Sequence, residues 1–538
     1  MRIRDKLKMG YFNIENAGML AGVMVAAFLA AFPVLILFFD TLQAFFMGSS
    51  DLVTFLVPDE RRLQLLVRSV GISAAVAVCG MTAGILTASF LFTWKSKAGL
   101  AVRYIFFATA AVPPYVHALS WTSSLVWLNS LLRESGIMEI SLQGNGICIW
   151  VGMMTLLPIT TGLALIGFES VEPGLIEAGC VFKGSGRVFG SIVLPLAAPS
   201  FLAGGAFAFL ISLMDYTIPS LFQVNVYSLE IFAQYSADYD AAKAFLLSLP
   251  LMVIAIPAAL LFQWAFKNAA LQNTRGKGKK PYIMEMPTAL VFLQGAALVI
   301  SFLQFSVPLI SLILSTGTPL NLANAFLSSH NEIGFSITLS VLAAVIAVTL
   351  GSLAASGVNR KGRIFKICWI LILLPFAIPA PLTGIALARG WNSLGAAGAG
   401  GTIWLPVMAG VIRFLPFAAL IMLAVIKRMD LRLLEASWIQ QKNACHGLVK
   451  VYVPMLSKGL VAAVCLVFIL VTGELGATLI VTPPGSGTIT MKIYNYLHYG
   501  ASETVAALCL IMLVLSIAAG TVAFAALIRG EKGVGKME

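Results

Sequence analysis

Residues 152–158 read GMMTLLP, and residues 410–416 read GVIRFLP, each inside a long apolar stretch. In both copies the proline is followed, 19 residues later, by a glutamate and an alanine; the glutamates are Glu177 and Glu435. The two copies lie 258 residues apart at both landmarks. A pattern repeated at this distance in a chain of 538 residues indicates two homologous halves.

The repeat continues downstream of the two glutamates. Pro195 ends the sequence IVLP and Pro454 ends VYVP, and 20 residues after each proline lies an acidic residue in apolar surroundings. These acids are Asp215 and Glu474. The copies are here 259 residues apart, so one residue has been gained or lost between the landmarks. Chance does not explain four landmarks that match in the same order and at nearly the same distance.

The composition is that of a membrane protein. Apolar residues make up 59% of the chain and charged residues only 11%, with a mean hydropathy of +0.93. A soluble domain has about 25% charged residues, because its surface faces water. This excludes a soluble enzyme and a disordered chain. The net charge of +12 reflects basic loops on one side of a membrane, and we expect no nucleic-acid partner.

Twelve stretches are apolar over the roughly 20 residues needed to cross a bilayer. They lie at about 17–39, 67–93, 101–123, 147–168, 199–222, 244–266, 288–314, 335–356, 365–388, 403–425, 459–480 and 504–528. Six spans return the chain to its starting side, so the two halves form parallel repeats with a pathway expected between them. The predicted fold class is an all-α integral membrane protein with about twelve transmembrane helices.

The basic residues predict the orientation. If the N-terminus is cytoplasmic, 27 of the 35 lysine and arginine residues lie on the cytoplasmic side, and both termini are cytoplasmic. One polar linker stands near the middle of the chain. We therefore divide the chain into a first half at 1–270, a basic cytoplasmic linker at 271–285 and a second half at 286–538.

The loops after the fourth and tenth spans, near 170–199 and 427–458, carry a family resemblance. They begin EAGCVFKGSG and EASWIQQKNA at their glutamates. This pattern resembles the Glu-Ala-Ala loop of binding-protein-dependent ABC importer permeases of type I. Residues 110–121, 214–222 and 473–480 are similar to the fused two-half permeases of the ferric iron type.

The resemblance implies a transport subunit of a bacterial inner membrane, without catalytic activity of its own. It implies ferric iron as cargo, or another small solute such as thiamine or a phosphonate. Two copies of a cytoplasmic ABC ATPase would bind ATP and Mg²⁺, and a periplasmic solute-binding protein would deliver cargo. In the family, each loop forms a short helix that docks on an ATPase. The residues implied in this coupling are Glu177, Ala178, Gly184, Glu435, Ala436 and Gln441.

Both loops depart from the family pattern. The glycine expected six residues after the glutamate is Lys183 in the first loop, where Gly184 follows, and Gln441 in the second. We therefore expect the turn after each coupling helix to differ from that of the family. We also expect each helix to begin at its glutamate, where the helix dipole favours an acidic side chain.

Asp215 and Glu474 are the main candidates for the translocation pathway. An acid at membrane depth is costly unless it faces a cavity or a partner. Two interpretations remain open: the acids line the pathway, or they hold helices together, Glu474 through Arg413. Prolines in the third and ninth spans favour helices that bend around a cavity. The other pathway candidates are Pro113, Tyr115, His117, Tyr216, Pro379 and Arg413.

Two other function classes remain as alternatives. A proton- or sodium-driven carrier also uses parallel six-span repeats, but it needs no coupling loops. A membrane enzyme would use Asp215, His117 and Glu474, but the sequence has no recognised catalytic spacing. It also lacks the P-loop motif GxxxxGK[ST], so we expect ATP to bind a partner. The scattered histidines form no ligand set, and a metal site is left undetermined.

Overall fold

The computed structural model describes residues 2–47, 54–55, 57–94, 96, 99, 102–103, 106–107, 112–272, 286–357, 363–393, 402–427, 429, 450, 452–499 and 502–534. Within these ranges the regular structure is helical and no strand occurs. The all-α prediction is therefore confirmed.

The helices fall into two series separated by the linker. The first series is α1 (Arg2–Phe46), α2 (Glu60–Thr93), α3 (Pro114–Glu134), α4 (Asn145–Glu169), α5 (Pro173–Phe182), α6 (Ser185–Met214), α7 (Thr217–Leu221), α8 (Tyr227–Asp238) and α9 (Ala241–Gln272). The second is α10 (Thr288–Thr316), α11 (Pro319–Ser328), α12 (His330–Gly357), α13 (Arg363–Ala377), α14 (Ala380–Ser393), α15 (Trp404–Lys427), α16 (Val453–Thr472), α17 (Thr478–Val481), α18 (Ile489–Tyr499) and α19 (Ser502–Val534).

Ten helices of the described chain are long and apolar enough to cross a membrane, and a bent pair can form an eleventh span. The bent pair is α13 and α14, which meet at 111° where the ninth span was predicted. The break falls at Ile378 and Pro379, because proline has no N–H to continue the helical hydrogen bonds. The chain is thus a multi-pass membrane protein, as the composition predicted.

Three predicted spans have different boundaries in the structure. The predicted span 101–123 straddles the start of α3, where Pro114 occupies the first helical turn, and α3 is not among the ten membrane-crossing helices of the described chain. The predicted spans 199–222 and 459–480 run past the ends of α6 and α16, at Met214 and Thr472. Hydropathy does not detect these ends because the residues that follow are still mostly apolar.

The two series use the same helix packing. In the first half α2 packs on α4 and α6, and in the second half α12 packs on α15 and α16. A Cβ added at Gly84 would lie 3.0 Å from the backbone of Thr160, and one at Gly351 would lie 2.7 Å from the backbone nitrogen of Ala419. Backbones can approach this closely only where glycine removes the side chain. The repeat therefore extends to α2 and α12, upstream of the four sequence landmarks.

The first helix of each series packs on the other series. Helix α1 contacts α12, α13, α14 and α15 of the other series as well as α9 of its own, and α10 contacts α2, α3 and α4 of the other series as well as α19 of its own. Two polar contacts secure α10 to α2: the Gln294 amide donates to the Ser89 hydroxyl at 2.8 Å, and the Thr87 and Ser301 hydroxyls lie 3.0 Å apart. The two halves are thus interlocked, with their shared surface around a central cavity.

Candidate functional site: a central cavity between the halves

A cavity of about 210 Å³ lies between the two halves. Its wall comes from α2, α4 and α6 of the first half and from α13, α15 and α16 of the second. Most of the lining side chains are apolar, and three charged ones reach it: Asp215, Arg413 and Glu474. Because these groups belong to both halves, any relative movement of the halves changes the cavity.

Glu474 occupies a corner where the chain leaves α16. Its carboxylate accepts the backbone N–H groups of Ala477 and Thr478, both at 2.9 Å, and so caps the short helix α17. The Arg413 guanidinium Nε lies 3.6 Å from its Oε1. The Glu474 side chain is only 2% exposed. Glu474 therefore lines the cavity and also holds α15 against α16, so both interpretations describe part of its environment.

Asp215 occupies the matching corner after α6. Its carboxylate accepts the N–H groups of Thr217, at 2.9 Å, and Ile218, at 3.3 Å, together with the Thr217 hydroxyl. It thereby caps α7 as Glu474 caps α17. Both carboxylates are oriented by hydrogen bonds from their own chain segment. They face the cavity as positioned charges and not as freely rotating ones.

Each corner is fastened to the start of a neighbouring long helix. The Ser69 hydroxyl of α2 accepts the backbone N–H of Tyr227 at 2.8 Å, and the Ser336 hydroxyl of α12 accepts that of Ile489 at 2.8 Å. Ser69 and Ser336 differ by 267 positions, as do Gly84 and Gly351. The same bond in both halves holds α8 and α18 at one end of the molecule, which we call the corner end.

Ion pairs repeat this attachment with opposite polarity. In the first half Arg61 of α2 pairs with Glu230 of α8 at 3.0 Å. In the second half Glu332 of α12 pairs with Lys492 of α18 at 2.8 Å. The attachment is therefore maintained although acid and base have exchanged places.

Three phenylalanines close the cavity on the side away from the corner end. The ring of Phe417 lies 5.4 Å from that of Phe207 and 4.9 Å from that of Phe376, and the last two are 6.2 Å apart. Phe207 precedes Asp215 by two helical turns and Phe417 follows Arg413 by one turn, which places the rings deeper than the ion pair. We call Phe207, Phe376 and Phe417 the aromatic floor.

Six of the eight predicted pathway residues line the cavity: Pro113, Tyr115, Asp215, Tyr216, Arg413 and Glu474. Pro379 does not line it, although its neighbours Ile378 and Ala380 do. His117 is fully buried elsewhere on α3. The aromatic floor was not predicted, because a phenylalanine in a transmembrane helix looks the same in the sequence whether it faces lipid, a neighbouring helix or a cavity.

The loop helix α5 carries Glu177 and Ala178, both exposed. The expectation that this helix begins at its glutamate is wrong: it begins at Pro173, whose fixed φ suits the first helical position. The turn that follows uses extended backbone at Lys183 (φ −139°) and at Gly184 (φ −57°). Neither residue needs a positive φ, so lysine fits where the family pattern has glycine.

The far end of α5 is apolar and exposed. Val181 is 79% exposed and Phe182 is 87% exposed, and Leu175 is 49% exposed on the same helix. Large apolar side chains this accessible mark a surface that contacts another protein or the membrane. The predicted coupling residues of the second loop, Glu435, Ala436 and Gln441, lie outside the described residues.

No group of three or more histidine, cysteine, aspartate or glutamate side chains suited to a metal ion occurs in the described part of the chain. The cavity itself brings together two carboxylates and one guanidinium. The two carboxylates are the acidic groups of the cavity wall, and the guanidinium lies beside one of them.

Comparisons with known proteins agree with this description. Residues 347–531 match the model of the family described as the inner membrane component of binding-protein-dependent transport systems. Over 416 residues the chain is 24% identical to the Fe(3+)-transport system permease protein FbpB 2 of Haemophilus influenzae, which covers 74% of this chain and 79% of that protein.

Two further relatives match a shorter part of the chain. The probable transport system permease protein NifC of Clostridium pasteurianum is 26% identical over 42% of this chain and 84% of its own length. The spermidine/putrescine transport system permease protein PotC of Escherichia coli K12 is 27% identical over 34% of this chain and 68% of its own length.

Proposed function

We propose that the chain is an ABC-type import permease subunit of the binding-protein-dependent kind, whose family model matches residues 347–531, and that it imports ferric iron across a bacterial inner membrane. In this proposal the two halves form the translocation pathway around the central cavity. Two cytoplasmic ATPase subunits bind ATP and Mg²⁺ and drive the cycle. A periplasmic binding protein delivers the cargo at the corner end.

The observation that carries the coupling proposal is the exposed apolar end of α5. A water-facing helix that presents Val181 and Phe182 gains stability when a groove on another protein covers them. Glu177 is exposed one turn earlier on the same helix, where it can meet a polar rim. These features support docking of an ATPase at α5, and the repeat in the sequence extends the proposal to the second loop.

The cargo proposal rests on how much of this chain each relative matches. The ferric iron permease matches across 74% of this chain, whereas the polyamine permease matches 34%. Asp215 and Glu474 give the cavity two negative charges against one positive charge from Arg413, which favours a cationic cargo. Because both carboxylates already accept hydrogen bonds, they would attract the ion without trapping it.

The basic loops support an orientation in which the linker and α5 lie on the cytoplasmic side. The linker with the end of α9, the region of α5 and the loop from the end of α15 to the start of α16 are basic and carry 13 of the 35 lysine and arginine residues, so this end would face the cytoplasm. The corner end would then face the periplasm. ATP-driven approach of the two loops would separate the halves at one end of the cavity and close them at the other, with the aromatic floor as the barrier on the cytoplasmic side.

The coupling proposal is tested by Val181→Ser with Phe182→Ser in proteoliposomes containing the permease, its ATPase and the binding protein. We expect ATP-dependent uptake of Fe³⁺ to fall at least tenfold, because about 1 kcal/mol is lost for each apolar side chain no longer covered. Val181→Leu with Phe182→Leu is the matched control, since it keeps apolar side chains at the same two exposed positions. Uptake that is unchanged in the serine variant would contradict the proposal.

The same vesicles distinguish the alternatives. Uptake of Fe³⁺ that persists without the ATPase and follows a proton or sodium gradient would identify a secondary carrier. ATP-dependent uptake of thiamine or a phosphonate, with none of Fe³⁺, would keep the importer class and overturn the cargo.

A further inference from the structure

A second cavity, of about 230 Å³, opens at the end of the molecule opposite the corner end. It lies between α9 of the first half and α13 and α15 of the second. Its wall is largely apolar and aromatic, formed by Phe266, Phe365, Trp369, Ile370, Leu420 and Leu423. It shares no lining residue with the central cavity, so the transport pathway does not account for it.

Two lysines line this second cavity, and a third lies near one of them. Lys267 and Lys366 line it and are exposed at its mouth. Lys427, the last residue of α15, is close enough to Lys267 to experience its positive charge, and its Nζ atom is buried. The structure gives none of the three an acidic partner among the residues it describes. Positive charge gathered beside an apolar wall creates a site for an anion.

The wall continues toward the lipid-facing surface along α13. This helix carries Lys366 and Trp369 within one turn, and it exposes Ile367 (56%) and Ile370 (49%) beside them. Lysine and tryptophan are characteristic of the level of the membrane at which lipid headgroups lie. An occupant with a negative head and an apolar tail therefore matches the cavity from its mouth to its lipid-facing side.

We propose that this cavity binds one anionic phospholipid, with its phosphate between Lys267 and Lys366 and an acyl chain against Trp369 and Ile370. The apolar wall favours a lipid over free phosphate, which would leave that wall uncovered. Since α9 and α13 belong to different halves, the lipid would bridge them on the side opposite the corner end. Basic pockets between transmembrane helices on the cytoplasmic side are known to suit such headgroups.

The test is native mass spectrometry of the full chain purified in detergent and titrated with phosphatidylglycerol or phosphatidylcholine. For Lys267→Gln with Lys366→Gln we expect the affinity for phosphatidylglycerol to fall at least about fivefold, with no change for phosphatidylcholine. Lys183→Gln with Lys458→Gln is the matched control, because it removes two exposed lysines near the same end without touching the cavity. The control should bind phosphatidylglycerol as the unchanged chain does.

A charge-preserving variant guards against a folding artefact. Lys267→Arg with Lys366→Arg should retain binding, which supports a charge-dependent site. Equal losses in the glutamine variant and the control would overturn the proposal in favour of a diffuse attraction between lipid and basic surface. Displacement of phosphatidylglycerol by millimolar inorganic phosphate would overturn it in favour of a free-anion site.

Discussion

At the scale of single residues, Glu474 connects the local backbone with the packing of the two neighbouring helices. One carboxylate accepts two backbone N–H groups of α17 and pairs with Arg413 of α15. Tyr216 contributes from the other half: its ring stacks on Phe232 at 5.4 Å and it also lines the cavity. The side chains around the cavity are thus fixed by contacts outside it.

Replacing Glu474 with glutamine should destabilise the protein, since the amide keeps one acceptor but loses the ion pair and presents N–H to an N–H group. We expect a loss of about 1–3 kcal/mol in unfolding free energy. A double-mutant cycle with Arg413→Gln, followed by thermal unfolding in detergent, measures the coupling. Additive effects of the two changes would show that the 3.6 Å contact contributes nothing.

Replacing Phe417 with alanine should open the aromatic floor, because it removes the ring that contacts both Phe207 and Phe376. We expect passive leakage of Fe³⁺ into proteoliposomes without ATP, together with a stability loss of about 3–5 kcal/mol. Phe417→Leu preserves most of the volume and serves as the control. A tight membrane with the alanine variant would show that the barrier lies elsewhere.

At the scale of helices, glycines determine how closely the main pairs approach. Gly84 and Gly351 occupy equivalent contacts, of α2 with α4 and of α12 with α15. A methyl group at either position meets backbone, which cannot move aside as a flexible side chain can. The sequence signal is weak, because glycine is frequent in membrane helices for several reasons.

Gly351→Ala should therefore destabilise the protein by about 1–3 kcal/mol through overpacking. Gly334→Ala, in the same helix but with open space around it, should be neutral or slightly stabilising, because alanine is the better helix former. Gly84→Ala and Gly71→Ala repeat the comparison on α2. Thermal unfolding in detergent measures all four, and equal midpoints within each pair would contradict the close-contact interpretation.

At the scale of the whole molecule, α1 and α10 each pack against helices of the other half. Helix α1 packs on the second series as well as on α9, and α10 packs on the first series as well as on α19, so helix contacts join the halves independently of the linker. The aromatic floor and both cavities use residues from both halves. The molecule is therefore organised as an interlocked pair, in contrast to two domains placed side by side.

A chain cut between Gly276 and Lys277, produced as two co-expressed pieces, should still assemble. We expect the pieces to co-purify through a tag on one of them and to elute together in size-exclusion chromatography. The uncut chain is the control for elution volume. Separate elution of the two pieces would show that the interlocking helices are too weakly held without the linker.

The sequence by itself determined the class of protein, the series of apolar helices and the pairing of landmarks such as Asp215 with Glu474. These follow from composition and periodicity, which are properties of the chain alone. Only the tertiary structure decided that Glu474 pairs with Arg413, that His117 lies outside the cavity wall and that Phe417 helps to close it. The physical reason is that nearly every side of these helices is apolar, so hydropathy cannot distinguish a side that faces lipid from one that faces a helix or a cavity.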